Sequence, residues 1–204
     1  MVIRLLAKTK VLNQLSECLY LLFCLLFFLG NIAILVAIKN LKQERKESIH
    51  SVYAQAIKLF LPVMVVIIIQ SLIVMGGFLF LIAPGILFSI WYMFAFYSAV
   101  IYNKRKTEAL ALSKAIVRKS MGRAIGYSLL AGIIIYGPYI VVNYVVDKYL
   151  IHHAYSYLSG IFVGGIIDSI LTVWLLAFSS IFYLDLIKAN PQISEEFELE
   201  PMEL

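Results

Sequence analysis

The sequence predicts an all-α protein, a polytopic transmembrane helical bundle of about five spans with basic amphipathic helices at the membrane interface. Of its 204 residues, 62% are hydrophobic and only 14% are charged, and the mean hydropathy is +0.92. Several apolar runs contain almost no ionisable group, and about 20 helical residues suffice to cross the hydrocarbon core of a bilayer. The Lys and Arg residues are concentrated between these runs.

Five apolar segments are predicted to cross the membrane as helices, because lipid offers the backbone no hydrogen-bond partner. They comprise residues 19–38, 59–82, 86–102, 124–146 and 158–184. With their connections they form a single membrane domain, residues 1–188. An acidic tail, residues 189–204, follows and is predicted to be disordered and cytoplasmic. The first apolar run is too long for the core of a cleavable signal peptide, so we expect it to remain attached.

The basic residues predict the orientation of the bundle, because positively charged connections stay on the cytoplasmic side of a membrane. Thirteen of the 17 Lys and Arg residues lie between spans one and two, between spans three and four, or at the tail. These regions are therefore predicted to be cytoplasmic, which places the N-terminus outside. Arg4, Lys8 and Lys10 favour the opposite placement. A first segment that folds back as a re-entrant hairpin near Gly30 and Asn31 would remove this conflict.

Amphipathic helices are predicted in both basic connections, over residues 48–58 and 107–123. The second is expected to lie in the membrane interface, with its apolar side towards lipid and its basic side towards anionic headgroups. Its basic residues are Lys114, Arg118, Lys119 and Arg123. Both a specific lipid or partner site and a solvated topology anchor fit this pattern.

A tight hairpin is predicted between the second and third spans, with its turn at Pro84 and Gly85. Proline disfavours the helical conformation in the preceding Ala83, and Gly85 permits a positive φ. The pair Gly76 and Gly77 loosens the end of the preceding helix. Two spans therefore meet in this turn.

A family resemblance rests on the order of several short segments. They are Leu-Ile-Ala-Pro-Gly-Ile at 81–86, an aromatic span, a polar turn, Glu-Ala-Leu-Ala-Leu-Ser-Lys at 108–114 with Arg118 and Arg123 after it, and Tyr-Leu-Asp-Leu at 183–186. Over roughly residues 45–188 the chain resembles the membrane domain of some bacterial glycerophosphoryl diester phosphodiesterases and related stand-alone multi-span bacterial membrane proteins of unknown function. The resemblance implies a multi-pass protein of the bacterial plasma membrane. It does not imply hydrolysis, because that family's activity belongs to a separate soluble barrel.

The residue pattern predicts no enzyme activity, cofactor or metal site. Adjacent His152 and His153 would point to different helix faces, which favours a wet external loop over a zinc site. Cys18 and Cys24 match no metal or redox spacing. The sequence contains no phosphate-binding Gly loop and no nucleophile elbow.

One intramembrane residue requires a physical account. Asp168 lies near the centre of the last span, where an ionised carboxylate costs about 2.5–3.5 kcal/mol on insertion scales. It is therefore expected to face the bundle, with Asn143 or Gln70 as candidate polar neighbours. Both a proton- or ion-responsive site and a carboxylic acid hydrogen-bonded for packing fit this position.

Two classes of function follow from these features. The preferred class is a non-enzymatic membrane protein that binds, organises or regulates lipids or another membrane protein, with anionic lipids as candidate partners. The alternative is a small transporter or transport subunit that uses Asp168. Nucleic acid is not an expected partner, because the basic residues follow the membrane topology and do not form one patch.

Overall fold

The computed structural model describes residues 2–45, 47–150 and 156–199, without the side chains of residues 2–16, 19–20, 135–136, 139, 142–143, 145–150 and 156–168. This part of the chain is helical and contains no strand, so the all-α prediction is confirmed. Its helices are α1 (Val2–Lys42), α2 (Ile49–Phe80), α3 (Ile82–Trp91), α4 (Ala95–Ile101), α5 (Thr107–Lys119), α6 (Met121–Leu150), α7 (Ser156–Lys188) and α8 (Pro191–Glu196).

Four helical segments among the described residues are long and apolar enough to cross a membrane. They are Leu21–Lys42, Ile49–Phe80, Ile82–Ile101 and Ser169–Lys188. The predicted fourth span, residues 124–146, lies entirely within α6, whose described apolar stretch is the shorter Met121–Ile134. Length and composition together therefore make this an integral, multi-pass membrane protein.

Helices α1 and α2 are both longer than the spans predicted for them. Helix α1 continues without a break through Gly30 and Asn31, so the alternative of a re-entrant hairpin at this point is wrong. Helix α2 begins after its N-cap, Ser48, whose hydroxyl accepts a hydrogen bond from the N–H of Ser51 at 3.3 Å. The predicted amphipathic helix over residues 48–58 is therefore the first part of α2.

The hairpin between α2 and α3 turns at Leu81 and not at Pro84 and Gly85. Leu81 is extended, with φ −162° and ψ 147°, whereas Pro84 and Gly85 lie inside α3. Proline is tolerated there because the first four N–H groups of a helix have no intrahelical partner. None of the described glycines has a positive φ, so the conformational reason predicted for Gly85 is also wrong.

Close packing, not backbone conformation, explains the glycines of the hairpin. A Cβ atom on Gly77 would lie 3.0 Å from the Cα atom of Gly85 and 2.8 Å from Cδ2 of Phe88. A Cβ atom on Gly85 would lie 2.5 Å from ring atoms of Phe78. Small residues allow helices to approach closely in a membrane, where apolar burial gives little driving force. Helix α3 therefore packs back along α2 with backbone in contact with backbone.

The third span is interrupted at residues 92–94, between α3 and α4. Ser113 of α5 stabilises the interruption: its hydroxyl accepts a hydrogen bond from the N–H of Phe94 at 3.1 Å and donates one to the carbonyl oxygen of Trp91 at 2.8 Å. Phe94 is 1% exposed. Its ring centroid lies 5.5–6.5 Å from those of Tyr97, Tyr127, Phe182 and Tyr183. A cluster of aromatic rings in the core thus surrounds this interruption.

The first part of the predicted disordered tail is folded. Pro191–Glu196 form α8, and Ile193 is fully buried. The Nζ atom of Lys104 donates a hydrogen bond to the carbonyl oxygen of Phe197 at 2.7 Å. The prediction of disorder is therefore wrong for residues 189–199, and residues 200–204 lie outside the described chain.

Lys106, the N-cap of α5, provides a test of backbone strain. Its φ of 48° and ψ of −123° form a combination that favours glycine. The substitution Lys106→Gly is expected to increase the free energy of unfolding by about 1 kcal/mol, because it removes this strain. Thermal unfolding in detergent measures the effect. The control is Arg105→Gly, one residue earlier at a negative φ, which should lower stability instead. A loss of stability in Lys106→Gly would show that the backbone of Lys106 is not strained.

Candidate functional site

Several polar elements meet at one end of the bundle, which we call the basic end. Lys119 Nζ donates a hydrogen bond to Oε1 of Gln192 at 2.9 Å, and Asn190 Nδ2 donates one to Oγ of Ser120 at 3.1 Å. These bonds place α5 and α8 together. Because α3 and α4 run antiparallel to α2, the end of α4 lies at the same end of the bundle as the start of α2. The basic end therefore combines the α1–α2 connection, residues 102–106, α5 and α8.

The basic helix predicted over residues 107–123 is α5, which is shorter than predicted and is covered on its apolar side by other helices. Helix α5 ends at Lys119, and Arg123 belongs to the first turn of α6. Its apolar side is buried within the protein: Leu112, Ile116 and Val117 are 0% exposed. The prediction that this side faces lipid is therefore wrong, because the neighbouring helices already cover it.

Three of the four predicted basic residues make contacts within the chain. The Nζ atom of Lys114 lies 4.7 Å from the ring centroid of Trp91, which is a cation–π contact. Lys119 binds Gln192, and Arg123 donates a hydrogen bond to Oγ of Ser120 at 3.1 Å. Arg118 is exposed. This helix thus stabilises the basic end through its own contacts.

Two pairs of hydroxyls, one buried and one half-buried, connect the helices close to the basic end, and sequence reasoning did not find them. Oγ of Ser98 lies 2.8 Å from Oη of Tyr183, and Oη of Tyr127 lies 2.6 Å from Oγ of Ser179. Each pair satisfies polar groups that would be costly alone in an apolar interior. These hydroxyls therefore stabilise the packing of α4 and α6 against α7.

The three intramembrane polar candidates are placed differently. Asp168 lies on α7 and Asn143 on α6, and these two helices pack together. The side chains of both residues are among those that the structure does not describe. Gln70 of α2 lines a shallow groove of about 410 Å³ on the α2–α3 hairpin, together with Ser71 and Ser89. Gln70 therefore faces the hairpin in this arrangement, and the expected pairing with Asp168 stays a prediction.

A larger groove opens between α1 and α2 at the basic end, and we call it the α1–α2 groove. Its volume is about 540 Å³, within the range of pockets that bind small molecules. It is lined by Gly30, Ala33, Ile34, Ala37, Asn40, Leu41, Arg45, Glu47, Ile49, Val52 and Tyr53. Its floor is apolar, and its polar groups are concentrated where α1 ends and α2 begins.

Asn40 is the most unusual residue of the α1–α2 groove. Its side chain is 4% exposed, and its Nδ2 atom has no hydrogen-bond partner. Trp91 Nε1 is the other such buried side-chain nitrogen among the described residues. Leaving a buried donor unsatisfied costs about 1–3 kcal/mol. No motif flagged Asn40: it lies between Lys39 and Leu41 at the end of a span, and the sequence carries no signal that its amide is buried.

The described residues at the opening of the groove also include a cationic and an anionic side chain. Arg45 is exposed. Glu47 is held in place by α2, because its Oε2 atom accepts hydrogen bonds from Oγ of Ser51 at 2.6 Å and from Nε2 of Gln55. The polar groups around the opening are therefore a guanidinium, a fixed carboxylate and the buried amide of Asn40.

The described residues contain no group of three or more His, Cys, Asp or Glu side chains that could hold a metal ion. Cys18 and Cys24 are free and exposed, as is His50. His152 and His153, for which the sequence favours a wet external loop over a zinc site, lie outside the described residues. The prediction that no cofactor is bound thus stays a prediction.

No family model, curated protein or solved structure matches this chain. The helices and their composition define the class, an all-α integral membrane protein with several spans. The resemblance to the membrane domain of glycerophosphoryl diester phosphodiesterases stays a prediction. Function is consequently inferred from the residues of the site and not from the fold.

Proposed function

We propose that this chain is a non-enzymatic membrane protein that acts by binding another membrane component in the α1–α2 groove. The observation that carries the proposal is the buried, unpartnered Nδ2 atom of Asn40 beside an open, apolar-floored groove. An unsatisfied buried donor in a native structure requires an explanation, and a ligand of the adjoining groove would supply the missing acceptor. By contrast, Ser98, Tyr183, Tyr127 and Ser179 use their hydroxyls within the bundle.

The position of the groove also supports binding of a membrane component. Lys42 ends the first spanning segment, so Asn40 and Arg45 lie where a span meets the headgroup region. The apolar floor extends from there towards Gly30 in the middle of the span. A ligand that fits this gradient is polar at one end and apolar at the other.

Blocking the groove tests the proposal. Ala37 lines the groove, and the substitution Ala37→Phe is expected to fill it and to remove the component that copurifies with the wild-type protein from native membranes. The matched control is Ala131→Phe, in a separate apolar groove of about 170 Å³ between α6 and α7. Mass spectrometry of the proteins and lipids retained by each variant is the measurement. Identical retained material in wild type and Ala37→Phe would contradict the proposal.

The alternative function, a small transporter, depends on Asp168 in α7. Asp168→Asn keeps the shape and much of the hydrogen bonding but removes titration. Under the binding proposal this variant is expected to keep its stability and its bound component, whereas Asp168→Leu destabilises because a partner is left unpaired. Proton or cation flux into proteoliposomes checks this. Flux that wild type supports and Asp168→Asn abolishes would replace the binding function with transport.

A further inference from the structure

We infer that the α1–α2 groove is a phospholipid site that prefers a zwitterionic phosphoethanolamine headgroup, with the phosphate held by Asn40 and Arg45 and the ammonium by Glu47. This inference rests on the proposed binding function and names its ligand class. Three polar groups at one opening and the shape of the α1 surface below them support this ligand.

The floor of the groove fits the upper part of an acyl chain. Gly30, Ala33 and Ala37 follow the i, i+3, i+7 spacing and share one face of α1. A Cβ atom on Gly30 would meet nothing within 4 Å, so the floor is open there. At 1.5 Å per residue, Gly30 and Ala37 are about 10 Å apart along the helix. The small residues therefore form an apolar trough that runs from the headgroup level towards the membrane centre.

The donors at the opening fit a phosphate group. Asn40 supplies the unpartnered Nδ2 donor, and Arg45 supplies a guanidinium, which binds phosphate oxygens through two parallel N–H groups. A ligand phosphate would satisfy the buried nitrogen that the protein itself leaves alone. The electrostatic attraction is strongest where the site is shielded from water, and Asn40 is almost completely buried.

Glu47 decides between headgroups. A carboxylate at the opening repels a headgroup with only negative charge and attracts an ammonium. The hydrogen bonds from Ser51 and Gln55 fix its position at the first turn of α2. Charge complementarity at this opening therefore favours phosphoethanolamine over phosphoglycerol, although the basic end as a whole is cationic.

Lipid retention after reconstitution tests the inference. Purified protein is reconstituted in vesicles of equal parts phosphatidylethanolamine and phosphatidylglycerol and extracted into mild detergent, and the retained lipids are counted by native mass spectrometry. Wild type is expected to retain one phosphatidylethanolamine per chain. Asn40→Leu and Arg45→Gln should each weaken retention of both lipids about tenfold, whereas Arg118→Gln, an exposed cation on α5, should not. Glu47→Gln should keep retention and lose the preference for phosphatidylethanolamine.

The same experiment separates misfolding from loss of the site. In lipid-free detergent, Asn40→Leu is expected to unfold at the same temperature as wild type or higher, because it removes an unsatisfied buried donor. Equal retention by wild type, Asn40→Leu and Arg45→Gln would overturn the lipid site, as would a preference for phosphatidylglycerol. If the lipid site fails while Ala37→Phe still removes a copurifying protein, the proposed binding function stands and only its ligand is wrong. If neither lipid nor protein depends on Ala37, both proposals fail.

Discussion

The substitution Phe94→Ala is expected to cause the largest loss of stability, about 3–5 kcal/mol in the free energy of unfolding. Phe94 is almost fully buried, and its ring contacts aromatic rings of α4, α6 and α7. Removing it leaves a cavity at the point where the third span is interrupted. Thermal unfolding of the purified protein in detergent measures the loss.

A lipid-facing phenylalanine provides the control for Phe94. Phe178 of α7 is 60% exposed, and its ring stacks only on Trp174 among the described contacts. Phe178→Ala is therefore expected to change the unfolding temperature little. Equal losses in the two variants would show that the packing around Phe94 contributes no more to stability than an exposed ring does.

The second large effect is expected at the α2–α3 hairpin. Gly77→Ala should lower the free energy of unfolding by about 1–3 kcal/mol, because the new Cβ atom forces the backbone of Gly85 away. The adjacent glycine is a matched control, since a Cβ atom on Gly76 would meet nothing within 4 Å. Gly76→Ala should be neutral or stabilising by about 0.5–1 kcal/mol, because alanine is the better helix former.

Thermal unfolding in detergent, with helix content followed by circular dichroism, compares the two glycine variants. The packing explanation requires opposite behaviour at neighbouring positions. A loss at both positions would instead indicate that this end of α2 needs glycine for its flexibility.

Composition and apolar length were sufficient to predict the fold class. Long runs without charge require helices in a bilayer, whatever the side chains contact. The exact turn of the hairpin was not predictable in this way. Pro84 and Gly85 fit both a turn and the first turn of a helix, and the choice depends on Gly77 and Phe78 across the hairpin, which are tertiary contacts.

The amphipathic pattern predicts a helix with one apolar side, and α5 confirms it, but the pattern does not indicate what covers that side. Leu112 and Ile116 fit lipid as well as protein by hydrophobicity alone, and the protein covers them. Ser113 shares a helix face with Leu110 and Ile116, and this polar residue on an apolar side was the local signal that the side meets backbone groups. The prediction of a disordered tail is wrong for a similar reason, because the acidic composition does not show that Ile193 is buried.

The α1–α2 groove was beyond sequence reasoning because it joins residues from two helices and their connection. The sequence pointed to Asp168 instead, because a carboxylate inside a span has a known free-energy cost. A single asparagine at the end of a span has no such known cost. Only the packing shows that Asn40 is buried without a partner.

Site-specific photo-crosslinking in native membranes tests the binding function most directly. A photoreactive phenylalanine analogue replaces Tyr53, an aromatic residue that lines the α1–α2 groove, or Ile133, which is 74% exposed on α6 and reports contact with bulk lipid. A discrete adduct is expected at position 53 that is absent at position 133 and that falls in the Asn40→Leu background. The same adducts at both positions, unaffected by Asn40→Leu, would contradict the binding function.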